Sequence, residues 1–279
     1  MKPPVFDYQD PATIDEVLGL LSVTRADAAL LAGGQSLMPL LNMRRVRPRV
    51  LIDLNRVAGL DEVSVTPESV TIGATARLAR LAGNPELAAA LPALPLVISF
   101  VAHPQIRTRT TIGGSLSYAD PAAELPALAV ALGATMRLRS SAGTRAVPAE
   151  EFFQGAFTTA RRADELLTQV EFPRHPGLVL RYDEIARAGD FPFVGLCLGL
   201  RLAGGEVIEA RAAAAGAADR PARLTALEQA LIGRPPADAA DDAARAASDE
   251  VDALADQHAT GEYRRGALRA LVRQLLSEF

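Results

Sequence analysis

Two pairs of adjacent glycines, 80 residues apart, limit what this chain can fold into. Gly33-Gly34 lies in the segment AGGQSL between two apolar runs, and Gly113-Gly114 lies in the similar segment TIGGSL. Paired glycines let the backbone adopt a positive φ and let a ligand approach the main chain without meeting a Cβ. Ser36, Thr111 and Ser115 add hydroxyl donors beside amides that could converge on phosphate oxygens. Two such loops in one chain indicate a diphosphate that is held from two sides.

Composition indicates an ordinary globular protein and excludes several kinds of partner. The 279 residues are enough for about two domains, each with its own core. Lys and Arg number 29 against 33 Asp and Glu, a balance that gives no reason to expect nucleic-acid binding, which usually needs a basic face. No apolar run approaches the ~20 residues that span a bilayer, which predicts no transmembrane segment. The first residues lack the apolar stretch of a signal peptide, so we expect a cytoplasmic protein.

Cysteine and histidine are too sparse for a metal centre. Cys197 is the single cysteine, which excludes an internal disulfide, a zinc site made of cysteines and an iron–sulfur cluster. Its apolar neighbours indicate an inert core residue. The three histidines are scattered, and no nucleophile–base pair or paired carboxylate stands out. We therefore predict no metal site and no catalytic side chain, and any redox chemistry would need an organic cofactor.

Hydrophobic periodicity predicts helices and strands in three successive regions. The expected elements are a helix at 12–21 with strands at 28–32 and 50–54; strands within 63–74, at 135–138 and at 166–172, with helices at 78–81, 87–100 and 123–132; and strands at 178–185, 194–202 and 207–214, with helices at 223–233, 238–257 and 261–278. Pro92 and Pro95 are expected to break the helix at 87–100. The middle region lacks regular βαβ alternation, which favours an α+β fold over a doubly wound parallel sheet.

Four segments, in this order, resemble the FAD-binding medium subunit of molybdenum hydroxylases of the carbon-monoxide-dehydrogenase and xanthine-dehydrogenase type. The segments are AGGQSLMPLL (32–41), HPQIRTRTTIGGSLSYADPAAELPA (103–127), YDEIARAGDFPFVG (182–195) and EYRRGALRALVRQLL (262–276). The resemblance extends over nearly the whole chain.

The resemblance implies a fold and its division into domains. The fold would be α+β, a two-subdomain FAD-binding fold of the vanillyl-alcohol-oxidase type followed by a C-terminal domain with a three-stranded antiparallel sheet and a helical bundle. Residues 1–55 and 56–172 would form the two FAD-binding subdomains, with FAD between them. Residues 173–279 would form the C-terminal domain.

The resemblance also implies an oxidoreductase that acts as a subunit. A small subunit would carry iron–sulfur clusters and a large subunit the molybdenum cofactor, since this chain can hold neither. Electrons would pass from those clusters through FAD to an external acceptor, and the assembly would be a dimer of heterotrimers. The substrate and the acceptor, whether NAD, quinone or oxygen, stay open.

Cofactor-binding residues follow from the same resemblance. They are Ala32, Gly33, Gly34, Gln35, Ser36 and Leu37 in the first loop, Thr111, Gly113, Gly114 and Ser115 in the second, and Glu124, Leu166, Tyr182 and Asp190. Glu124 would accept hydrogen bonds from sugar hydroxyls of FAD, a task that suits a carboxylate. Leu166 would contact the adenine. Tyr182 and the loop from Gly189 to Phe191 would lie beside the isoalloxazine ring.

Each of these interpretations has a structural alternative. Either glycine pair could be a plain tight turn, Asp120 could cap a helix near Ala122, and Glu124 could serve only the helix dipole. Arg107 and Arg109 could offset the charge of the diphosphate or pair with carboxylates. For the whole chain, the alternatives are a stand-alone flavin oxidase or dehydrogenase of the same fold, and a scaffold protein that has lost its flavin.

Overall fold

In the computed structural model, which describes residues 2–187 and 191–279, the N-terminal stretch forms a small parallel sheet. Its elements are β1 (Asp7–Gln9), α1 (Ile14–Thr24), β2 (Ala28–Leu31), α2 (Leu37–Asn42) and β3 (Val50–Asp53). β3 lies between β1 and β2. A capping box of Thr13 and Glu16 begins α1, because each side chain accepts a hydrogen bond from the other residue's amide. The apolar side of α1 packs with Ile52 and Leu54.

The middle stretch forms a five-stranded antiparallel sheet with helices on it. Its elements are β4 (Val63–Val65), β5 (Ser69–Gly73), α3 (Leu78–Ala82), α4 (Pro85–Ala90), α5 (Ala93–Phe100), α6 (Pro104–Arg107), α7 (Ile112–Tyr118), α8 (Glu124–Ala131), β6 (Thr135–Ser140), β7 (Gly143–Pro148), α9 (Ala149–Phe152), β8 (Phe153–Gly155), β9 (Thr158–Thr159) and β10 (Leu166–Pro173). The strand order is β4-β5-β10-β6-β7, and β8 and β9 pair separately. Leu166, which begins the central strand, packs in the N-terminal core, whereas Val170 and Phe172 pack in the middle core. One strand therefore ties the two cores together.

The C-terminal stretch forms a four-stranded antiparallel sheet that lies between two cores. Its elements are β11 (Val179–Ala186), β12 (Pro192–Ala203), β13 (Glu206–Ala215), β14 (Ala222–Arg223), α10 (Thr225–Leu231), α11 (Pro236–Glu250) and α12 (Gly261–Leu276). Side chains alternate along β12, so that Leu196 and Leu198 pack with the C-terminal helices while Cys197 packs with the middle core. Cys197 is fully buried, and burial raises the pKa of its thiol far above the usual range. The prediction of an inert core cysteine is confirmed.

The expected α+β architecture is confirmed, with four local corrections. Pro95 does not break a helix, since it lies in the first turn of α5, where a missing amide costs no hydrogen bond. The second glycine pair lies inside the first turn of α7 rather than in a loop. The strands β1, β7, β8 and β9 were missed, and the C-terminal sheet gains a fourth strand, β14, of only two residues. The division at residues 55 and 172 stays a prediction; β10 runs one residue past the second boundary.

The part of the chain that the structure describes contains neither a membrane-spanning helix nor a cluster of metal-binding side chains. No helix there is both long and apolar enough to cross a membrane. Histidine, cysteine and carboxylate side chains form no group of three that could hold a metal ion within residues 2–187 and 191–279.

A buried arginine joins the last helix to the ends of β12 and β13, the two inner strands of the C-terminal sheet. The Arg264 guanidinium donates to the carbonyls of Phe193 and Gly216 through Nη1, at 2.5 and 2.8 Å, and to Asp256 through Nη2, at 2.8 Å. Its side chain is only 4% exposed. Removing it leaves these carbonyls without their donor and breaks the ion pair with Asp256, which keeps the amides of His258 and Ala259 as donors.

We expect Arg264→Met to lower the free energy of unfolding by about 3 kcal/mol, because one partner of a buried ion pair is removed. The control is Arg273→Gln, which breaks the exposed pair with Asp241 and should cost less than about 1 kcal/mol. Urea denaturation measures both. Equal losses in the two variants would contradict the structural role of Arg264.

Candidate functional site

The two glycine segments meet at one open cavity of about 480 Å³. Twelve of the predicted site residues line it: Ala32, Gly33, Gly34, Gln35, Ser36, Leu37, Thr111, Gly113, Gly114, Ser115, Glu124 and Leu166. Tyr182 does not line it, and Asp190 lies outside the described residues. A cavity of this volume is large enough for an organic ligand.

The first glycine segment offers main-chain N–H groups. None of the amides from Gly33 to Leu37 has an acceptor among the described residues, although Met38 N donates to Gly34 O at 3.1 Å and begins α2. Gly34 has a φ of +74°, in the left-handed region that favours glycine. Gln35 folds back so that its Nε2 donates to Gly33 O at 3.1 Å. Unpaired amides around a left-handed residue form a concave donor set that suits an anion.

The second glycine segment is different, because its amides are already bonded. Gly113 N donates to Ala74 O at 2.9 Å, Gly114 N to Thr111 Oγ1 at 3.1 Å, and Ser115 N to Thr111 O at 3.1 Å. Thr111 therefore caps α7. What this side can offer a ligand is the hydroxyl hydrogens of Thr111 and Ser115. The two segments thus supply different donors, amides from the first and hydroxyls from the second.

Close packing between protein segments requires most of these glycines. A Cβ on Gly33 would lie 2.3 Å from the carbonyl oxygen of Arg109, and one on Gly113 would lie 2.4 Å from the Ala74 Cβ. A Cβ on Gly114 would lie 2.7 Å from Thr111 Oγ1. The sequence predicts that the missing Cβ atoms make room for a ligand. At these positions the missing Cβ atoms let the segments of the chain approach each other.

Glu124, the first residue of α8, is a buried carboxylate in the cavity wall. Burial, with smaller contributions from the nearby charges of Glu184 and Asp120, raises its pKa to about 7 against the hydrogen bond from its own amide. The described residues provide no other donor to this carboxylate. It is therefore placed to accept hydrogen bonds from a ligand in the cavity.

Asp120 takes the capping role and also lies in the cavity wall. Its Oδ1 accepts from Ala122 N at 3.0 Å in the turn before α8, as the capping alternative predicts, although the helix itself begins two residues later. The residue also lines the cavity. Burial raises the pKa of its carboxyl, partly offset by the Ala122 hydrogen bond.

Tyr182 lies in the core rather than at the cavity. Its ring packs edge-on against Phe100 with centroids 4.8 Å apart, and its hydroxyl donates to Glu184 Oε2 at 2.9 Å. Burial and the charges of Glu184 and Glu124 raise the pKa of the phenol well above the usual range. Contact between Tyr182 and a ligand stays a prediction.

Arg107 has a structural role, and Arg161 is a lining residue that the sequence analysis missed. Arg107 Nη1 donates to the carbonyls of residues 99, 101 and 102, which holds the turn after α5. Arg161 Nη1 donates to the carbonyls of Arg162 and Glu165, at 3.0 and 2.8 Å, and burial lowers its pKa. It lies in a polar stretch without periodicity, so no sequence signal pointed to it.

The chain matches two known protein families, one along its first part and the other along its last part. Residues 4–175 match the family described as the FAD binding domain in molybdopterin dehydrogenase. Residues 182–279 match the family described as the CO dehydrogenase flavoprotein C-terminal domain.

Individual relatives match over most or all of the chain. The caffeine dehydrogenase subunit beta of Pseudomonas sp. (strain CBB1) is 39% identical over 84% of this chain and 81% of its own length. The nicotine 6-hydroxylase medium subunit of Paenarthrobacter nicotinovorans is 34% identical over 100% of this chain and 98% of its own. The crystal structure of quinoline 2-oxidoreductase from Pseudomonas putida 86 matches with a TM-score of 0.95 and 37% identity, over 100% of this chain and 98% of the matched chain.

The packing of Gly113 predicts a specific loss of stability. We expect Gly113→Ala to lower the free energy of unfolding by about 2 kcal/mol, since the added methyl overlaps Ala74. The control is Gly266→Ala in the middle of α12, where a Cβ meets open space and should raise the free energy of unfolding by up to about 1 kcal/mol. Urea denaturation of both variants measures the difference. A neutral Gly113→Ala would contradict the tight packing.

The burial of Glu124 predicts a pH-dependent stability for the ligand-free chain. Its pKa is raised to about 7 in the folded state, so between about pH 4.5 and 7 the unfolded chain has already released a proton that the folded chain retains. Stability therefore falls as the pH rises through this window, by about 3 kcal/mol in total. We expect the difference in the free energy of unfolding between the wild type and Glu124→Gln to change by this amount between pH 4 and 8.

Urea denaturation at several pH values tests this expectation. Glu86→Gln, at an exposed position of α4, is the matched control. Its free energy of unfolding, plotted against pH, should run parallel to that of the wild type. If the free energy of unfolding of Glu124→Gln also runs parallel to that of the wild type, then Glu124 is already ionised in the folded chain at acid pH.

Proposed function

Because the chain belongs to the family of FAD-binding medium subunits of molybdenum-containing dehydrogenases, we propose that it is the subunit through which electrons leave its complex. It is an oxidoreductase subunit with FAD as its cofactor. In this proposal, iron–sulfur clusters in a small partner subunit deliver electrons to FAD, and FAD passes them to an external acceptor. A large partner subunit holds the molybdenum cofactor and transforms the substrate.

The observation that carries the proposal is the convergence of two unlike donor sets on one cavity. The amides from Gly33 to Leu37, which bond to none of the described residues, would hold one phosphate of the diphosphate, and the hydroxyls of Thr111 and Ser115 would hold the other. Leu166 and its apolar neighbours Leu30 and Leu54 line the same cavity and suit the adenine. The donors and the apolar wall fit an adenine dinucleotide with a diphosphate.

Glu124 would recognise sugar hydroxyls of FAD. A hydroxyl that donates to its carboxylate favours the ionised form and so lowers a pKa that burial has raised to about 7. Binding would then release a proton near neutral pH and would strengthen as the pH rises to about 8. Gln at this position keeps the shape but loses the charge-assisted hydrogen bond.

Bound FAD would supply the electron-transfer chemistry, while the protein's part is to hold and orient it. The chain's own residues would grip the diphosphate, accept the sugar hydroxyls and shield the adenine from water. A dimer of heterotrimers and a cytoplasmic location remain our expectations. The substrate would be selected in another chain.

Titration of the ligand-free chain with FAD tests the site. We expect the flavin absorption bands to shift on binding, and heat to release FAD from the complex. Glu124→Gln should weaken binding about tenfold at pH 8, the loss expected for one hydrogen bond to a charged group, and should remove the pH dependence. Glu86→Gln is the control and should bind as the wild type does.

Two outcomes would contradict the proposal. A folded chain that takes up no FAD would mean that the loops hold another ligand or none. Turnover of alcohols or N-heterocycles by the lone FAD-loaded chain would favour the stand-alone oxidase instead, since the subunit should transfer electrons only with its partners.

A further inference from the structure

A series of hydrogen bonds outside the main cavity joins the N-terminal sheet to the second glycine segment. The Tyr8 hydroxyl donates to Asp53 Oδ2 at 2.7 Å, and Asn55 Nδ2 donates to Asp53 Oδ1 at 2.5 Å. The Arg77 guanidinium donates to Asn55 Oδ1 through Nη2 and to the carbonyl of Arg109 through Nη1. The series therefore ends four residues before Gly113.

Asn55 and Arg77 face a different cavity from the one that the glycine segments line. They line a small polar cavity of about 180 Å³, and neither is among the residues of the main cavity. Thr75 lines both cavities and lies in the wall between them. Neither side chain therefore lines the main cavity, and their hydrogen bonds connect to it through the main chain at Ala32 and Arg109.

Asn55 determines how the first glycine segment is oriented. Its Nδ2 also donates to Ala32 O, at 3.0 Å. In a trans peptide the carbonyl and the N–H of the same unit point in opposite directions, and the described chain has no cis peptide bond. Binding the Ala32 carbonyl on the Asn55 side turns the Gly33 N–H to the other side, and Gly33 lines the main cavity.

Arg77 binds a main-chain carbonyl just before the second glycine segment, at a point where this part of the chain faces the first segment. The Arg109 carbonyl that it binds is the atom that a Cβ on Gly33 would strike at 2.3 Å. Arg77 thus binds the carbonyl that faces Gly33 and, through Asn55, is connected to the Ala32 carbonyl as well. Within the described residues it forms no ion pair with a carboxylate; the charges that face it are Asp53 and Arg109.

We propose that Asn55 and Arg77 are positioning residues for diphosphate binding. They hold the carbonyls of Ala32 and Arg109 away from the main cavity, aim the Gly33 amide into it and set the gap between the two glycine segments. This inference rests on the proposed function, since it concerns the same cavity. The ligand class is a dinucleotide that carries a diphosphate.

The test compares ligands with and without a diphosphate. Asn55→Asp keeps the size and the acceptor for Arg77, but it loses the donors to Ala32 O and Asp53 Oδ1 and sets a second carboxylate beside Asp53. Asn55→Ala loses the same donors without adding that charge, and Arg77→Met loses both guanidinium bonds. We expect each variant to bind FAD and ADP about 10- to 30-fold more weakly, and riboflavin within about twofold of the wild type. Arg77→Lys should recover part of the affinity, because an ammonium can reach one carbonyl but cannot span both partners.

Arg80→Gln is the matched control, since Arg80 forms an exposed pair at 2.6 Å with Asp61, a residue of the same small cavity. It should bind all three ligands as the wild type does. Thermal unfolding of the ligand-free variants should change little, because Asn55 is exposed and Arg77 is half-buried.

The outcomes separate this inference from the proposed function. A wild-type chain that binds neither FAD nor ADP defeats the proposed function. If the wild type binds both, then unchanged FAD and ADP affinity in Asn55→Asp and Arg77→Met overturns the positioning role. An equal loss for riboflavin also overturns it, because the whole cavity would then be disturbed. Should Arg77→Met not fold, Asn55→Asp and Arg77→Lys give the same comparison.

Discussion

The backbone contact between Gly33 and the carbonyl of Arg109 is the constraint on which the rest of the structure depends. It leaves no room for a side chain, so the two glycine segments lie against each other and the parallel N-terminal sheet is held against the middle domain. The cavity forms where these segments meet. Leu166 closes the same junction, because the first residue of β10 packs into the N-terminal core. The cavity is therefore a product of how the N-terminal and middle sheets pack.

The two sides of the cavity bring donors of different origin, which follows from local backbone geometry. The first segment turns through the left-handed Gly34, and its amides find no acceptor in the part of the chain that the structure describes. The second enters α7, and Thr111 takes up the Gly114 amide as an N-cap. The cavity wall therefore carries neutral donors on one side and the Glu124 carboxylate, an acceptor whose ionised form burial disfavours, on the other. A ligand with phosphates and sugar hydroxyls would satisfy both.

The C-terminal domain supports the site from outside. One side of β12 contributes Cys197 to the core that also contains the helices of the middle domain, while the opposite side packs on the C-terminal helices. Gly216 N donates to Pro121 O at 2.7 Å, immediately beside Asp120 in the cavity wall. Arg264 binds the Gly216 carbonyl from α12. The last helix is thus linked by hydrogen bonds to the wall that carries Asp120 and Glu124.

The sequence alone determined the elements with strong local signals. Hydrophobic periodicity marks α1, α8 and the long strands β10 to β13, and four motifs name the family. It could not reveal that α7 begins before the second glycine pair, because glycine disfavours helices and the N-cap of Thr111 outweighs that preference only in context. It could not find Arg161, Asn55 or Arg77 either. Their partners are main-chain carbonyls of other segments, and such contacts exist only once the tertiary structure has brought those segments together.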